Sequence, residues 1–433
     1  MTRTHSKTKR TAFLVAAGLA ATTAIAGCSS SSDGGEGDGA DGSGPVTISY
    51  GVWDDTQAKV MEQIADKFHE THPDITVKVQ VTPWDQYWTK LKTAATGGAA
   101  PDVFWMNESN FATYASGGVL ANLSDKLDGS EIDMSNYVDI QTEAYTFDGS
   151  VYGIPKDIDS IGLWYNKALF AEAGIAEPTG DWTWDDMVAA AQKLTDPSKG
   201  QYGIVAQSAP QQSYYSTIPQ TGGQVISDDL TSSGYGTPEA IKGVQVWVDL
   251  VNKYQVSPTL QQMTDTDADT WFTSGKAAMI FEGSWAAAEF KEIPYAAENA
   301  NVAPMPKLDQ PGGVSNGLGN VMSAKSEQPE AAWEFLQYLG SKEAATAQAE
   351  AGIVIPAYKG TTDGWVNAFP EFNLQVFVDA LESSTKYPSS MNSAAWQDPI
   401  ELEFNKAWGG EQTAEQAAAN ATKIMNDALA AEK

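Results

Sequence analysis

The chain has 433 residues, with 56 Asp and Glu against 26 Lys and Arg, a formal charge of −30 and one cysteine. So acidic a surface repels nucleic acid and anionic lipid, and a lone cysteine excludes an intramolecular disulfide. The length exceeds one typical core, so two lobes are expected.

At the amino terminus Arg3, Lys7, Lys9 and Arg10 precede an apolar run from Ala12 to Ala26. That run is shorter than the roughly twenty residues that span a bilayer, so residues 1–27 read as a secretory signal peptide. Ile25-Ala26-Gly27-Cys28 resembles a bacterial lipobox, which implies cleavage before Cys28 and acylation of that cysteine. The signal carries four basic residues and no acid, so its removal would take the charge from −30 to −34. Residues 28–45, almost wholly Ser, Gly, Asp and Glu after the cysteine, have nothing to bury and read as a flexible tether with a reach of roughly 20–25 Å. The folded part is therefore expected outside the cell, hanging from the outer face of the membrane as a monomer. No later segment is long and apolar enough to be a transmembrane helix.

Val46 to Val52 reads as a strand, and Val60, Ile64 and Phe68 mark a helix over 58–70. Ile75, Val77, Val79 and Val81 alternate as a second strand. Thr82-Pro83 then opens a helix with Trp84, Trp88, Leu91 and Ala95 on one face, which Gly97-Gly98 ends. A short buried strand, Val103 to Met106, follows. The order is that of an α/β sheet with largely parallel pairing. Thr183 before Trp184 to Leu194, and Thr237-Pro238 before Ile241 to Val251, start helices of a second α/β lobe. Ala277 to Phe281 reads as a strand, Pro329 to Leu339 as a helix, and Thr413 to Ala430 as a closing helix.

Enzyme chemistry is thinly supplied. The three histidines, His5, His69 and His72, give no histidine-based nucleophilic site, and neither a Gly-x-Ser-x-Gly elbow nor a phosphate loop is present. A zinc site would need carboxylates alone, so no metal, cofactor or catalytic residue is expected. The 14 Trp and 16 Tyr, several beside Asp or Glu, instead suit a carbohydrate: sugar C–H faces stack on indole and hydroxyls donate to carboxylates. Most of these aromatics are expected in the core, Trp247 and Trp333 among them. Two other readings stay open: a glycoside hydrolase with Asp159 and Glu282 as its carboxylates, and the same fold holding a polyamine, iron at Tyr214-Tyr215 or another small solute.

Three blocks carry a family resemblance that runs from about Val46 to the carboxyl end. The first is Tyr152-Gly153-Ile154-Pro155 with Ile161-Gly162-Leu163-Trp164-Tyr165-Asn166-Lys167, Leu169-Phe170 and Ala173-Gly174-Ile175. Phe272, Gly275-Lys276-Ala277-Ala278-Met279 and Gly283-Ser284-Trp285 form the second, and Ala331-Ala332-Trp333-Glu334-Phe335-Leu336 the third. The chain resembles the extracytoplasmic solute-binding proteins of carbohydrate ABC importers, the maltose- and trehalose-binding type. That resemblance implies a two-lobed α/β periplasmic-binding-protein-like fold with hinge strands and a ligand cleft between the lobes. It divides the chain into residues 46–157 with about 306–360 as one lobe and 158–305 with about 361–433 as the other. The implied partners are a carbohydrate, an oligosaccharide by preference, and an ABC permease. Asp159 falls at a hinge carboxylate, Trp285 at a stacking indole and Trp396, after Tyr387-Pro388, at a second stacking position. Asn107 and Glu108 end the third strand at the cleft edge, where the family often has Asp, and Tyr387 stands where some relatives carry Arg. Trp53, Asp54 and Asp55 follow the first strand toward the cleft, though the two acids also suit a helix cap near Thr56. Gln211, Gln212 and Tyr214 occupy a polar, aromatic loop of the second lobe. Ligands in open α/β sheets bind beyond the carboxyl ends of the strands, which is where these positions fall.

Overall fold

The computed structural model describes residues 44–432, so the expected signal peptide, the acylated Cys28 and nearly all of the tether lie outside the described residues. The elements that position the site begin with β1 (Val46–Val52), α1 (Asp55–Thr71), β2 (Ile75–Val81), α2 (Trp84–Gly97), β3 (Val103–Asn107) and α3 (Glu108–Ser116). The chain continues through β4 (Gly153–Pro155), β5 (Asp157–Ile158), β6 (Ile161–Asn166), α4 (Trp184–Leu194), α5 (Pro238–Asn252), β7 (Met279–Gly283), α6 (Ala286–Glu292) and β8 (Ala300–Ala303). It closes with β9 (Leu318–Met322), α7 (Pro329–Leu339), α8 (Ala394–Trp408) and α9 (Ala414–Ala431).

Local chemistry starts three helices where the sequence indicates, while α2 differs, with Pro83 rather than Thr82 at its N-cap and no side chain capping it. Thr183 and Thr413 each form a capping box, with Asp186 and Gln416 reaching back, and Thr237 caps α5 ahead of Pro238. The strand expected over 277–281 lies two residues later. Lys276 and Ala277 instead donate their N–H groups to Trp271 O at 3.0 and 2.9 Å, closing the preceding turn.

A five-stranded sheet runs in the order β2-β1-β3-β9-β4, and a three-stranded sheet in the order β8-β6-β7. Parallel pairing holds for β1 with β2 and β3. It fails elsewhere: β9 is antiparallel to both β3 and β4, and β6 is antiparallel to both of its neighbours. The reason is topological. β4 leaves the first sheet for the second and β9 returns beside it, so the two must run in opposite directions. On the first sheet, Tyr50, Trp105 and Phe335 are buried with Met61 and Phe68 of α1. On the second, Leu163, Met279 and Phe281 are buried with Trp184, Trp247 and Trp408. Among the described residues no helix is long and apolar enough to cross a membrane.

Between the sheets three stretches lie side by side. Ile158 and Asp157 pair with Ile355 and Pro356, Asp159 bridges to Asn316, and Lys156 N donates to Leu318 O at 2.7 Å. Lys156 and Asp157 form a buried ion pair of 2.7 Å, with the ammonium also on Gln57 Oε1 at 3.0 Å and 4.6 Å from the Trp105 ring centroid. Asp157 Oδ1 accepts from Leu318 N at 2.7 Å. Removing one partner of such a pair leaves a charge in low dielectric. Lys156→Met is expected to lower stability by about 3–5 kcal/mol, read from urea denaturation, whereas Lys59→Met, which breaks an exposed pair with Glu292, should cost under about 1 kcal/mol.

Candidate ligand cleft

Asp159 sits on the crossing itself. Its Oδ1 accepts from Gln211 Nε2 at 2.7 Å and from Asn316 N at 3.1 Å, while Asn316 Nδ2 donates to Gln211 Oε1 at 3.3 Å. Burial, then the charge of Asp157, pushes the Asp159 carboxyl well above the usual carboxylate range. Glu108 faces the same place from the start of α3. Its Oε1 accepts from Gln141 Nε2 at 2.9 Å, and its Oε2 is buried without a partner. Burial pushes the Glu108 carboxyl up to about 7, with Gln141 and Lys386 acting the other way. Gln141 Oε1 and Asn316 Oδ1 are also buried without partners. Gly317 makes this close arrangement possible, since a Cβ there would overlap Asp157 O and the Gln141 amide.

The wall built on β7 carries Glu282 and Trp285. Glu282 accepts from Gln207 Nε2 at 3.0 Å, Gln212 Nε2 at 3.2 Å and its neighbour's Gly283 N at 2.9 Å. Its carboxyl is raised by burial, against the pull of those donors and of Trp285. The Trp285 indole is half-buried and lies on Gly283, where any Cβ would overlap the ring. Across the gap, Asp54 is near enough to Glu289 of α6 to raise its carboxyl, after burial itself.

Asp54 is the N-cap of α1, accepting from Thr56 N at 2.8 Å and Gln57 N at 2.9 Å, and Asp55 is an exposed first-turn acid. Asn107 likewise caps α3, accepting from Asn110 N at 3.2 Å and Nδ2 at 3.0 Å. Trp53 is half-buried in an aromatic cluster, with ring centroids 4.9 Å from Tyr87, 5.0 Å from Trp105, 5.3 Å from Trp84 and 5.8 Å from Trp88.

This arrangement of two sheets around a polar crossing has close counterparts. The sequence profile described as bacterial extracellular solute-binding protein matches residues 53–346. The chain belongs to that family. The solute-binding chain is 27% identical over 427 residues to a maltodextrin-binding protein of Bacillus subtilis, covering 93% of this chain and 94% of that one. It is 26% identical over 313 residues to a lactose-binding protein of Rhizobium radiobacter, 69% of this chain and 71% of the other. An ABC substrate-binding protein of Listeria monocytogenes, solved in complex with cycloalternan, superposes with a TM-score of 0.84 at 28% identity, covering 89% of this chain and 99% of that one. The fold is accordingly the two-lobed one of that family.

Within this solute-binding fold the expected site residues do not all converge. Glu108 and Asp159 come together at the crossing, close enough that the charge of Glu108 adds, after burial and Asp157, to the rise of the Asp159 carboxyl. Gln212 and Trp285 meet at Glu282, with Trp53 and Asp54 on the opposite wall. Two expected contacts lie elsewhere. Tyr214 is 1% exposed, in edge contact with Tyr215 and tilted against Phe404. Trp396 is 0% exposed, its indole N–H donating to Ser390 Oγ at 2.8 Å. The cause is helical spacing: Trp396, Ile400 and Phe404 form one apolar stripe of α8, which the core takes. Gln141 and Asn316 were not singled out by sequence reading. Nothing local marks them, because their partners lie 33 and 105 residues away in the chain.

A carboxyl raised on folding makes the native state hold a proton that the unfolded chain has released. Stability therefore falls as pH rises through the window from the ordinary carboxyl value to about 7 for Glu108, by about 3 kcal/mol in total. Glu108→Gln should flatten that part of the curve, so its Tm should exceed the wild type's at pH 8 and approach it at pH 4.5. A parallel offset at both pH values would show that Glu108 does not titrate in that window.

Proposed function

We propose that this chain captures a sugar or short oligosaccharide outside the cell and hands it, chemically unchanged, to an ABC permease. The observation that carries the reading is the set of buried acceptors without donors at the crossing, Glu108 Oε2, Gln141 Oε1 and Asn316 Oδ1, together with the half-buried Trp285 indole beyond β7. Such acceptors cost free energy until a donor arrives, and sugar hydroxyls are donors. The ring beside them needs an apolar face, which a sugar also has. The relatives named for maltodextrin and lactose, and the neighbour holding cycloalternan, support the same class of ligand. Trp53, Asp54, Asn107, Glu108, Asp159, Gln212 and Trp285 remain the proposed contacts, with Gln141, Gln211 and Asn316 added; Asp55 is left at the rim.

Binding without catalysis is the reading that membership of the solute-binding family supports. Asp159 and Glu282 each accept from glutamine amides, which fix them as hydrogen-bonding groups, and no second observation pairs them as acid and nucleophile. Iron at Tyr214 and Tyr215 is disfavoured, because burial holds both phenols protonated. We take the lobes as 46–157 with 306–360 and 158–305 with 361–433, closing on the ligand as a monomer about the crossing stretches.

Thermal-shift screening against a panel of mono- and oligosaccharides should find a ligand that raises Tm; at 100 times its dissociation constant it adds about 2.7 kcal/mol. Trp285→Ala should then weaken that ligand about tenfold or more in calorimetric titration, from lost stacking and lost area, with folding checked by circular dichroism. Stabilisation by polyamines alone, or shorter products after incubation with oligosaccharides, would replace the reading.

In the same reading Cys28 carries an acyl anchor and the protein hangs by its tether from the outer face of the cell membrane. Cys28→Ser should move the processed protein from the membrane fraction to the medium; unchanged partitioning would remove the anchor.

A further inference from the structure

α9 packs back along α8, so Glu432, the residue that caps its carboxyl end, arrives at the amino end of α8. A carboxylate is disfavoured at the negative end of its own helix and favoured at the positive end of another. Here it takes three donors from the loop that leads into α8. Glu432 Oε1 accepts from Ser390 Oγ at 2.7 Å and Asn392 N at 2.9 Å, and Oε2 accepts from Met391 N at 3.2 Å. Ser390 Oγ in turn accepts the Trp396 indole N–H at 2.8 Å, which ties the clasp to the buried face of α8. Ser393, the N-cap of α8, supplies no side-chain cap to its own helix.

The loop held in this way reaches α3. Thr113 donates its hydroxyl to Met391 O at 3.0 Å. The Met391 carbonyl and the Asn392 N–H belong to one planar peptide unit, so Glu432 accepts at one end of that unit while Thr113 donates at the other. Hydrogen bonds to a carboxylate are shorter and stronger than neutral ones, and a peptide whose N–H is so engaged becomes a better acceptor at its oxygen. The carboxylate therefore fixes both the orientation of this peptide and the strength of its bond to Thr113. Packing does little of this, because the Met391 side chain is 40% exposed. The loop is also continuous with the crossing: Tyr387, three residues before Ser390, is close enough to Asp159 and Glu108 for both charges to act on its phenol, after burial and Glu401.

We propose that Glu432 is a positioning residue for lobe closure: its carboxylate orients the Met391–Asn392 peptide so that the carbonyl meets Thr113 of the opposite lobe. The inference rests on the lobe division proposed above and is independent of which solute binds. Two substitutions isolate its parts. Glu432→Gln keeps the size of the side chain and removes its charge, and Thr113→Val removes the far end of the bridge without touching α8 or α9.

The test is a distance measurement by pulsed electron–electron resonance on the full chain with no sugar added. Spin labels go on Ser116→Cys of α3 and Leu402→Cys of α8, both exposed, in a Cys28→Ser background that leaves no other cysteine. With Glu432 and Thr113 intact, one short distance should dominate. Glu432→Gln and Thr113→Val should each raise the ratio of long to short distances about twofold to tenfold, the weight of one hydrogen bond, with folding confirmed by circular dichroism. The double variant should differ from either single one by less than about twofold, because both remove the same bridge. Additive shifts in the double variant would overturn the proposal by making Glu432 a support of the α8–α9 pair alone. A shift in only one of the two single variants would overturn it too, as would a long distance that already dominates with both residues intact. One narrow distance in all four proteins would overturn the lobe division itself and the inference with it.

Discussion

Asp157 holds together stretches of chain that are far apart in sequence. One oxygen takes the Lys156 ammonium, the other takes Leu318 N, and its backbone pairs with Pro356. Placing this charged pair inside the protein costs desolvation that the Coulombic attraction alone does not reliably offset, so its persistence depends on the added partners: Gln57 Oε1, the Trp105 face and the Leu318 amide. Those partners come from α1, β3 and β9. The pair thus ties the first sheet to the stretches that leave it for the second, and the geometry of Asp159, two residues on, follows from that anchorage.

From this anchorage the cleft acquires its chemistry. A rigid crossing can hold acceptors out of water without letting each find a donor, and Glu108, Gln141 and Asn316 each retain one buried oxygen without one. Protein interiors seldom tolerate such groups, and in the proposed function a ligand supplies the donors these three lack. The raised carboxyl groups of Glu108, Asp159 and Glu282 express the same condition electrostatically: burial disfavours their charge, and neighbouring amides restore only part of what water would give.

The same design bears on motion. Only short backbone stretches join the two sheets, while the polar contacts that face the gap are side chains on opposite walls. A ligand that bridges those walls favours the arrangement in which both sets of contacts are made, and it can shift the lobes only by the difference in free energy between the arrangements. The Lys59–Glu292 pair between α1 and α6, exposed on both partners, joins the lobes at the surface without the rigidity of the buried pair.

Local rules in the sequence determined much of this protein: strand alternation at Ile75–Val81, helix caps at Thr183, Thr237 and Thr413, and the motif blocks around Gly153 and Gly283 that mark the family. The proposed contacts Asp159 and Trp285 could be picked out for the same reason, lying beside or within those blocks. Tertiary structure decided what depends on distant partners. It turned β9 antiparallel to its neighbours, because a returning strand runs against the one that left. Trp396 and Tyr214 went into the core, because apolar spacing on a helix does not say which face meets ligand and which meets protein. Gln141 and Asn316 came to the crossing through contacts spanning 33 and 105 residues, and chain separation of that size leaves no periodic trace from which either role could be read.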